Sequence, residues 1–346
     1  MSTTKQGKIL VTGGTGYIGS HTVVELQNSG YEVIILDNLS NSNIKILEQI
    51  TTITGIAPEF IKRDLRDKQA LFELINSRKD ITDVIHFAAS KSVSESVKNP
   101  LLYYDNNIST LINLLNAFGN RNIRFVFSSS CTVYGQPDVL PVTESAPVKA
   151  AESPYGNTKQ IGEEILKETA TAAGNLKVIA LRYFNPVGAH SSALIGELPT
   201  GVPQNLVPFV TQTAIGKRDQ LTVFGDDYDT PDGSCIRDYI HVVDLAKAHV
   251  AAINCLRAGQ MDADYETFNI GTGKGNSVLE VIHSFQRITR QTLNFRIGAP
   301  RNGDIVKIWG NADKAAEVLG WQATLGLDDM LTSAWAWENY INSNPF

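Results

Sequence analysis

Cysteine is scarce in this chain. Cys131, Cys235 and Cys255 are the only three among 346 residues, and they stand far apart without the close spacing of a metal site. That argues against a disulfide-built scaffold or a zinc framework, and fits the reduced thiols of a cytoplasmic protein. Long apolar runs are missing too, so no segment is expected to span a bilayer. The start, MSTTKQGKILVTGG, is a short polar lead ahead of a strand, without the apolar core of a signal peptide. There is no basic excess: the formal net charge is −6, and no global positive field would recruit nucleic acid. Repeats and low-complexity linkers are absent as well. What remains is 42% hydrophobic and 19% charged, an ordinary globular composition able to bury one large core or two unequal ones.

The first informative stretch is KILVTGGTGYIGSHTVVELQNSG, a β-branched strand running into a glycine turn and then an amphipathic helix. Gly13, Gly16 and Gly19 are spaced three apart. The first permits a sharp turn, the second lets a pyrophosphate approach the backbone, and the third lets the helix press on the strand. The N–H groups at the helix start then face the anion. A second apolar run, EVIILD, ends at Asp37, about twenty residues past the turn, where a carboxylate accepts from the adenosine ribose hydroxyls and repels a 2′-phosphate. The expected cofactor is therefore NAD rather than NADP.

The alternation continues down the chain. EFIKRD reads as a strand ending in Asp64, KQALFELINS as a helix, DVIHFAA as a strand and YYDNNISTLINLLNAFGN as one long helix. IRFVFSSS is a further strand, PYGNTKQIGEEILKETATAA a further helix, and LKVIALRYFN another strand. Short, nearly all-apolar strands separated by helices predict a parallel sheet covered on both faces: a doubly wound α/β fold of Rossmann type. Ligands of such sheets sit beyond the carboxyl ends of the strands. Asp37, Asp64, FAAS with Lys91, Ser128 to Ser130 and YFN all fall at those ends, which predicts one shared site.

In SPYGNTK, Pro154 suits a first helical turn, so Tyr155 and Lys159 lie on one face of the opening turns. Alone, a tyrosine with a lysine four residues on decides nothing. Beside a dinucleotide turn and a strand ending in serines, it brings a hydroxyl (Ser130), a phenol and an ammonium together, as oxidation of a carbinol requires. A free phenol titrates near ~10, so holding it as phenolate at neutral pH takes a shift of about three units, or roughly 4 kcal/mol. Nearby cations supply such stabilisation: Lys159 and an oxidised nicotinamide.

These segments, with DNLSNS, YYDNN, FSSSCTVYG, LRYFNPVGAH, NLVPF, RDYIHVVDLA, NIGTGKGNSV and APRNGD, run in order to about residue 309. By them the chain resembles the extended short-chain dehydrogenase/reductase family, and within it the UDP-glucose 4-epimerases. The resemblance implies a C4 epimerisation of UDP-galactose and UDP-glucose through a 4-keto intermediate, with tightly held NAD. It also implies that Gly13, Gly16, Tyr17, Ile18 and Gly19 hold the NAD pyrophosphate, with Asp37, Asn38 and Ser42 on its adenosine side. Asp64 and Leu65 would flank the adenine, and Phe87, Ala88, Ala89, Lys91 and Asn106 would line the cofactor channel. Ser130, Tyr155 and Lys159 would be the catalytic set, with Phe184 near the nicotinamide and Lys91 also within reach of the substrate.

The same resemblance divides the chain into an NAD-binding Rossmann domain, 1–185, and a smaller C-terminal mixed α/β domain for the UDP-sugar, 186–346, with some crossing of the chain between them. Asn185 would lie near the sugar and diphosphate, Asn205 and Leu206 in the nucleotide pocket, and Phe224 at the uracil-side wall. Arg237 and Arg301 would grip the diphosphate, for which guanidinium forks are well shaped, and Asp304 would hold the ribose. On the residues alone, a structural ion pair is the lesser alternative for either arginine. A homodimer through the long helices holding Leu114 and Ile161 is expected on the same ground.

Dehydratases of this fold place an Asp-Glu pair directly after the catalytic hydroxyl. Here those positions are Cys131 and Thr132, which argues for a hydride removed and returned. Where family members restricted to plain hexoses have a bulky tyrosine, and those accepting N-acetylhexosamines a small residue, this chain has Ile308. Plain UDP-hexoses are favoured; a UDP-N-acetylhexosamine 4-epimerase, or another nucleotide-sugar epimerase or reductase of the family, stays open. No metal is expected: His21, His86, His241 and His249 read as packing residues, with no partner at useful spacing. Trp335 and Trp337 lie two apart on different helix faces and need no role beyond packing.

Overall fold

The computed structural model describes residues 7–301 and 304–346. The polar lead at 1–6, Asn302 and Gly303 of APRNGD, and the side chain of Ala173 lie outside the description. The first half alternates strand and helix: β1 (Lys8–Thr12), α1 (Tyr17–Asn28), β2 (Val33–Asp37), α2 (Ile46–Thr54), β3 (Glu59–Lys62), α3 (Lys68–Ser77) and β4 (Ile81–His86). Helices α4 (Val93–Lys98), α5 (Pro100–Tyr104) and α6 (Thr110–Phe118) follow, then β5 (Ile123–Ser130), α7 (Pro154–Ala173), β6 (Leu176–Tyr183) and β7 (Asn185–Val187). The second half carries α8 (Leu206–Ala214), β8 (Leu221–Phe224), β9 (Ile236–His241), α9 (Val242–Ala258), β10 (Tyr265–Ile270) and β11 (Gly275–Ser277). It closes with α10 (Val278–Thr289), β12 (Phe295–Gly298), β13 (Lys307–Ile308), α11 (Asp313–Leu319) and α12 (Leu327–Ser343).

Seven strands form one sheet in the order β10-β6-β5-β4-β1-β2-β3, and every neighbouring pair is parallel. The period of two in the strands divides their side chains between two cores. Ile9 and Val11 face α1 and α9 on one side, while Leu10 faces α3, α6 and α7 on the other. Each is fully buried, a gain of roughly 1.5–3 kcal/mol per large aliphatic side chain. The strand order reverses between β1 and β4, which opens a crevice at their carboxyl ends.

Beyond β6 the chain builds a four-stranded sheet around β9 and a two-stranded one from β8 and β12. A third core joins α8, α10 and α12 through Val210, Phe285 and Leu331. Residues 242–270 do not stay with this second unit. Helix α9 packs against α1, and β10 completes the first sheet beside β6.

Three details depart from the sequence expectations. The long helix expected over 103–120 runs continuously to Phe118, but it starts earlier, at Pro100, and Asp105–Ser109 winds as a π-helical turn between α5 and α6. This turn swings Asn107 inward, where its side chain bonds the Ser90 backbone (2.8 and 3.0 Å) and the Thr158 hydroxyl (3.0 Å). One-turn π segments of this kind often occur at functional sites. Strand β3 stops at Lys62, and Asp64 lies in the turn that follows. Leu114 is fully buried, so the outward apolar residues of α5 and α6 are Leu101, Leu102 and Ile112. Among the described residues, no helix is long and apolar enough to cross a membrane.

Candidate active site

Glycines shape the turn between β1 and α1. Gly13 has φ of +71°, and a Cβ there would sit 2.8 Å from the Ala88 nitrogen at the exit of β4. A Cβ on Gly19 would lie 2.2 Å from the Gly13 carbonyl oxygen, so neither position admits a side chain. Helix α1 opens at Gly16 with no side-chain cap, which leaves the first N–H groups, those of Tyr17, Ile18 and Gly19, free for an external acceptor. A bare backbone leading to an uncapped helix start is the cradle a dinucleotide pyrophosphate needs, and the residues present fit it.

Around that cradle, the Asp37 carboxylate is buried and accepts the N–H groups of Thr15 (3.2 Å) and Leu39 (2.8 Å). The Ser42 hydroxyl bonds Thr15 Oγ1 at 2.7 Å and reaches Asp37 at 3.4 Å. Asn38 donates to Asp64 at 3.0 Å, and the Arg66 guanidinium forked on Asp64 holds that carboxyl well below its usual range. Leu65 is buried next to it. On the β4 side, Phe87 packs with its ring 4.7 Å from that of His249, and the Ala88 nitrogen donates to Thr12 Oγ1 at 3.4 Å, with Ala89 following. Asn106 donates to the Ser90 hydroxyl at 3.0 Å, and Lys91 lies 3.2 Å from Glu197 and 5.8 Å over the Tyr17 ring.

Ser130 is the last residue of β5, and Tyr155 is the second residue of α7, whose cap is the Ser153 hydroxyl taking the Gly156 N–H at 3.2 Å. Lys159, one turn further, donates from Nζ to the Ser128 carbonyl at 2.7 Å and sits 5.8 Å from the centre of the Tyr155 ring. All three are more than nine-tenths buried. Burial holds the Tyr155 phenol well above its ordinary value; Tyr183 pushes the same way, and the Ser130 hydroxyl pulls it down. Burial also lowers Lys159 to about 8, opposed by the Glu163 carboxylate. Burial thus favours the protonated phenol, and the amino end of α7, whose dipole points at Tyr155, favours the phenolate.

The remaining residues expected from the sequence lie in the second unit. Arg301 forks on Asp304 at 2.9 and 3.0 Å and lies 4.7 Å over the Phe224 ring. Arg237 donates to the Ile236 carbonyl at 2.9 Å, and its strand pairs with β13, placing Arg237 opposite Ile308. Ile308 is buried against Phe184 and Cys131 in one small apolar cluster. Asn205 stands at the start of α8 just before Leu206 without a side-chain capping bond, and its amide donates instead to Glu197 at 2.7 Å. Asn185 opens β7, which pairs with β9.

Several polar residues of the site give no sequence signal. Asp238 is fully buried and accepts from Thr272 N (2.9 Å), Thr272 Oγ1 (2.6 Å), Gly273 N (3.2 Å) and Gly310 N (3.3 Å); burial pushes its carboxyl up to about 6. It clamps the chain after Ile308 onto Phe184, where a Cβ on Gly310 would come within 2.3 Å of the ring. Strand alternation turns Asp238 to the face opposite Arg237. Glu163, one turn past Lys159, pairs with Arg182 at 2.5 Å and takes the Ser129 hydroxyl at 2.5 Å. Tyr183 shares a hydrogen bond of 2.6 Å with Ser128. His86 and His21, expected to pack, are buried, with His86 bonded to Thr12 at 2.8 Å.

The profile of the GDP-mannose 4,6 dehydratase family matches residues 10–334. A UDP-glucose 4-epimerase of Haemophilus influenzae is 48% identical over 97% of this chain and 98% of its own. A crystal structure of a UDP-glucose 4-epimerase from Stenotrophomonas maltophila, with bound NAD and formylated UDP-arabinopyranose, superposes with a TM-score of 0.93 at 48% identity, covering 97% of this chain and 99% of that one. The enzyme of the same name from Bifidobacterium longum, in complex with NAD+ and UDP, gives 0.92 at 44% identity, covering 98% and 100%.

Proposed function

The chain belongs to the GDP-mannose 4,6 dehydratase family, among its UDP-glucose 4-epimerases, and from that membership we propose how its own residues carry out the reaction. It is an NAD-dependent epimerase that interconverts UDP-galactose and UDP-glucose. The observation that carries the mechanism is the burial of Ser130, Tyr155 and Lys159 together at the carboxyl edge of the sheet, beside the glycine cradle.

Gly13, Gly16, Tyr17, Ile18 and Gly19 hold the pyrophosphate of NAD; Asp37, Asn38 and Ser42 take its adenosine, with Asp64 and Leu65 at the adenine. Phe87, Ala88, Ala89, Lys91, Asn106 and Phe184 complete the channel. Bound NAD supplies the acceptor for the C4 hydride and gives it back. Tyr155 takes the proton of the C4 hydroxyl, Ser130 hydrogen-bonds the same oxygen, and Lys159 steadies the charge on the phenolic oxygen. Arg237, Arg301, Asp304, Asn205, Leu206, Asn185 and Phe224 hold the uridine diphosphate, so the 4-ketose turns about a fixed anchor and presents its other face. Arg301 and Asp304 grip each other before substrate comes, and their fork reorganises around diphosphate and ribose. Elimination of water lacks its carboxyl pair here, since Cys131 and Thr132 follow Ser130 and burial pushes the Cys131 thiol up to about 12. The direct test is purified protein incubated with UDP-galactose and no added NAD. UDP-glucose forms at a steady rate; no product until NAD is supplied and consumed would contradict a resident cofactor.

Ile308 is buried in the apolar cluster with Phe184 and Cys131, and its place in the proposed site is the sugar end. Ile308→Ser opens room for an acetamido group and raises the rate with UDP-GlcNAc relative to UDP-glucose about tenfold or more, for loss of one branched side chain's volume. Unchanged relative rates would remove this position as the gate. We further place the division between cofactor and sugar-nucleotide units near residue 185, with 242–270 returning to the first. The exposed Leu101, Leu102 and Ile112 of α5 and α6 suit a homodimer contact, and three free cysteines suit the cytoplasm.

A further inference from the structure

Glu197 stands in none of the roles above, yet one of its oxygens joins both halves of the site. Glu197 Oε1 accepts from Lys91 Nζ at 3.2 Å and from Asn205 Nδ2 at 2.7 Å. Lys91 follows β4 on the cofactor side; Asn205 opens α8 on the sugar-nucleotide side. The carboxylate is largely enclosed, its side chain 13% exposed, whereas that of Lys91 is 56% exposed. An enclosed anion bonded to two donors fixes them more firmly than a solvated surface pair would.

The backbone under Glu197 is held as well. Its carbonyl accepts the Trp337 indole N–H at 2.8 Å, and a Cβ on the preceding Gly196 would lie 2.5 Å from the same indole. Tyr17, at the first turn of the cofactor-binding helix, donates to the Gly188 carbonyl at 2.7 Å, and the Glu197 charge adds to the burial that raises its phenol. A loop anchored to α12 thus places one carboxylate between α1, the β4 exit and the start of α8.

We propose that Glu197 is a positioning residue that couples the two half-sites, so that a change at Asn205 is felt by the cofactor through Lys91. This rests on the assignment of Lys91 to the NAD channel and Asn205 to the nucleotide pocket. Both ligands are anionic diphosphates, and bringing them together needs their donors held at a set separation. Glu197 neutralises Lys91 in part, keeps it from collapsing onto the sugar diphosphate, and ties its position to that of α8.

The test compares NAD release rates from purified holoenzyme in four proteins: wild type, Asn205→Ala, Glu197→Ala and the double variant. Asn205→Ala is expected to speed NAD release threefold or more when Glu197 is present and to leave it unchanged when Glu197 is alanine. Glu197→Gln, which keeps an acceptor oxygen, restores at least half of the dependence and replaces the alanine variant if that fails to fold. An effect of Asn205→Ala that is equal with and without Glu197, or none in the wild-type background, overturns the proposal. A wild-type protein that holds no NAD overturns the functional assignment instead.

Discussion

Tyr155→Phe lowers the rate of interconversion of UDP-galactose and UDP-glucose by about 10²- to 10⁴-fold, the usual contribution of a positioned general base. The ring keeps its buried place, so packing, NAD content and substrate affinity stay close to those of the wild type. The substitution removes only the oxygen that accepts the C4 hydroxyl proton, an interaction made in the transition state. It therefore lowers kcat and kcat/KM together and leaves KM nearly unchanged. Steady-state rates with NAD content measured on the same sample check this. Near-normal turnover would mean that another group, with Ser130 the nearest candidate, takes the proton.

Lys159→Met abolishes activity to a similar extent and makes the ligand-free protein more stable. The wild-type ammonium is buried and its pKa falls from 10.5 to about 8. At about 1.4 kcal/mol per unit, that is a penalty of roughly 3 kcal/mol for folding with the charge in place. Leaving the Ser128 carbonyl without its donor returns about 1–2 kcal/mol of that. The net gain is about 1–2 kcal/mol at neutral pH. Since the folded value lies below the unfolded one, the wild-type penalty is complete below pH 8 and fades as pH rises towards 10.5. The stability difference between variant and wild type shrinks over the same window. Denaturant melts at pH 7 and pH 10 read it directly; a variant less stable than wild type at pH 7 would show that the ammonium is a structural support.

How much of this was legible in the sequence depends on the length scale of the signal. Strand and helix order followed from short apolar stretches such as VIIL in β2 and FVF in β5, because a parallel sheet buried on both faces leaves little polar alternation to misread. KQALFELINS matches α3 residue for residue, with Asp67 as its cap. Convergence at one sheet edge was legible for the same reason: Asp37 and Ser130 end parallel strands, and Gly13 and Lys91 follow them. Events set by tertiary contact were not. The π turn at 105–109 exists because Asn107 is drawn to Ser90 and Thr158, residues far along the chain. Leu114 faces the sheet because α6 packs there, which a leucine-rich face alone cannot decide. Glu197 lies in an irregular loop with no periodicity, and its two partners are 106 and 8 residues away. Asp238 shows itself only once β9 is buried between two loops.

The central claim is that the hydrogen on C4 leaves and returns to the same carbon without meeting water. UDP-galactose deuterated at C4, incubated with the purified protein and analysed by mass spectrometry, tests it most directly. The UDP-glucose formed should carry the full label at C4, even after many turnovers. Loss of deuterium to solvent in step with product formation would mean that the hydrogen moves as an exchangeable proton, and would contradict the account.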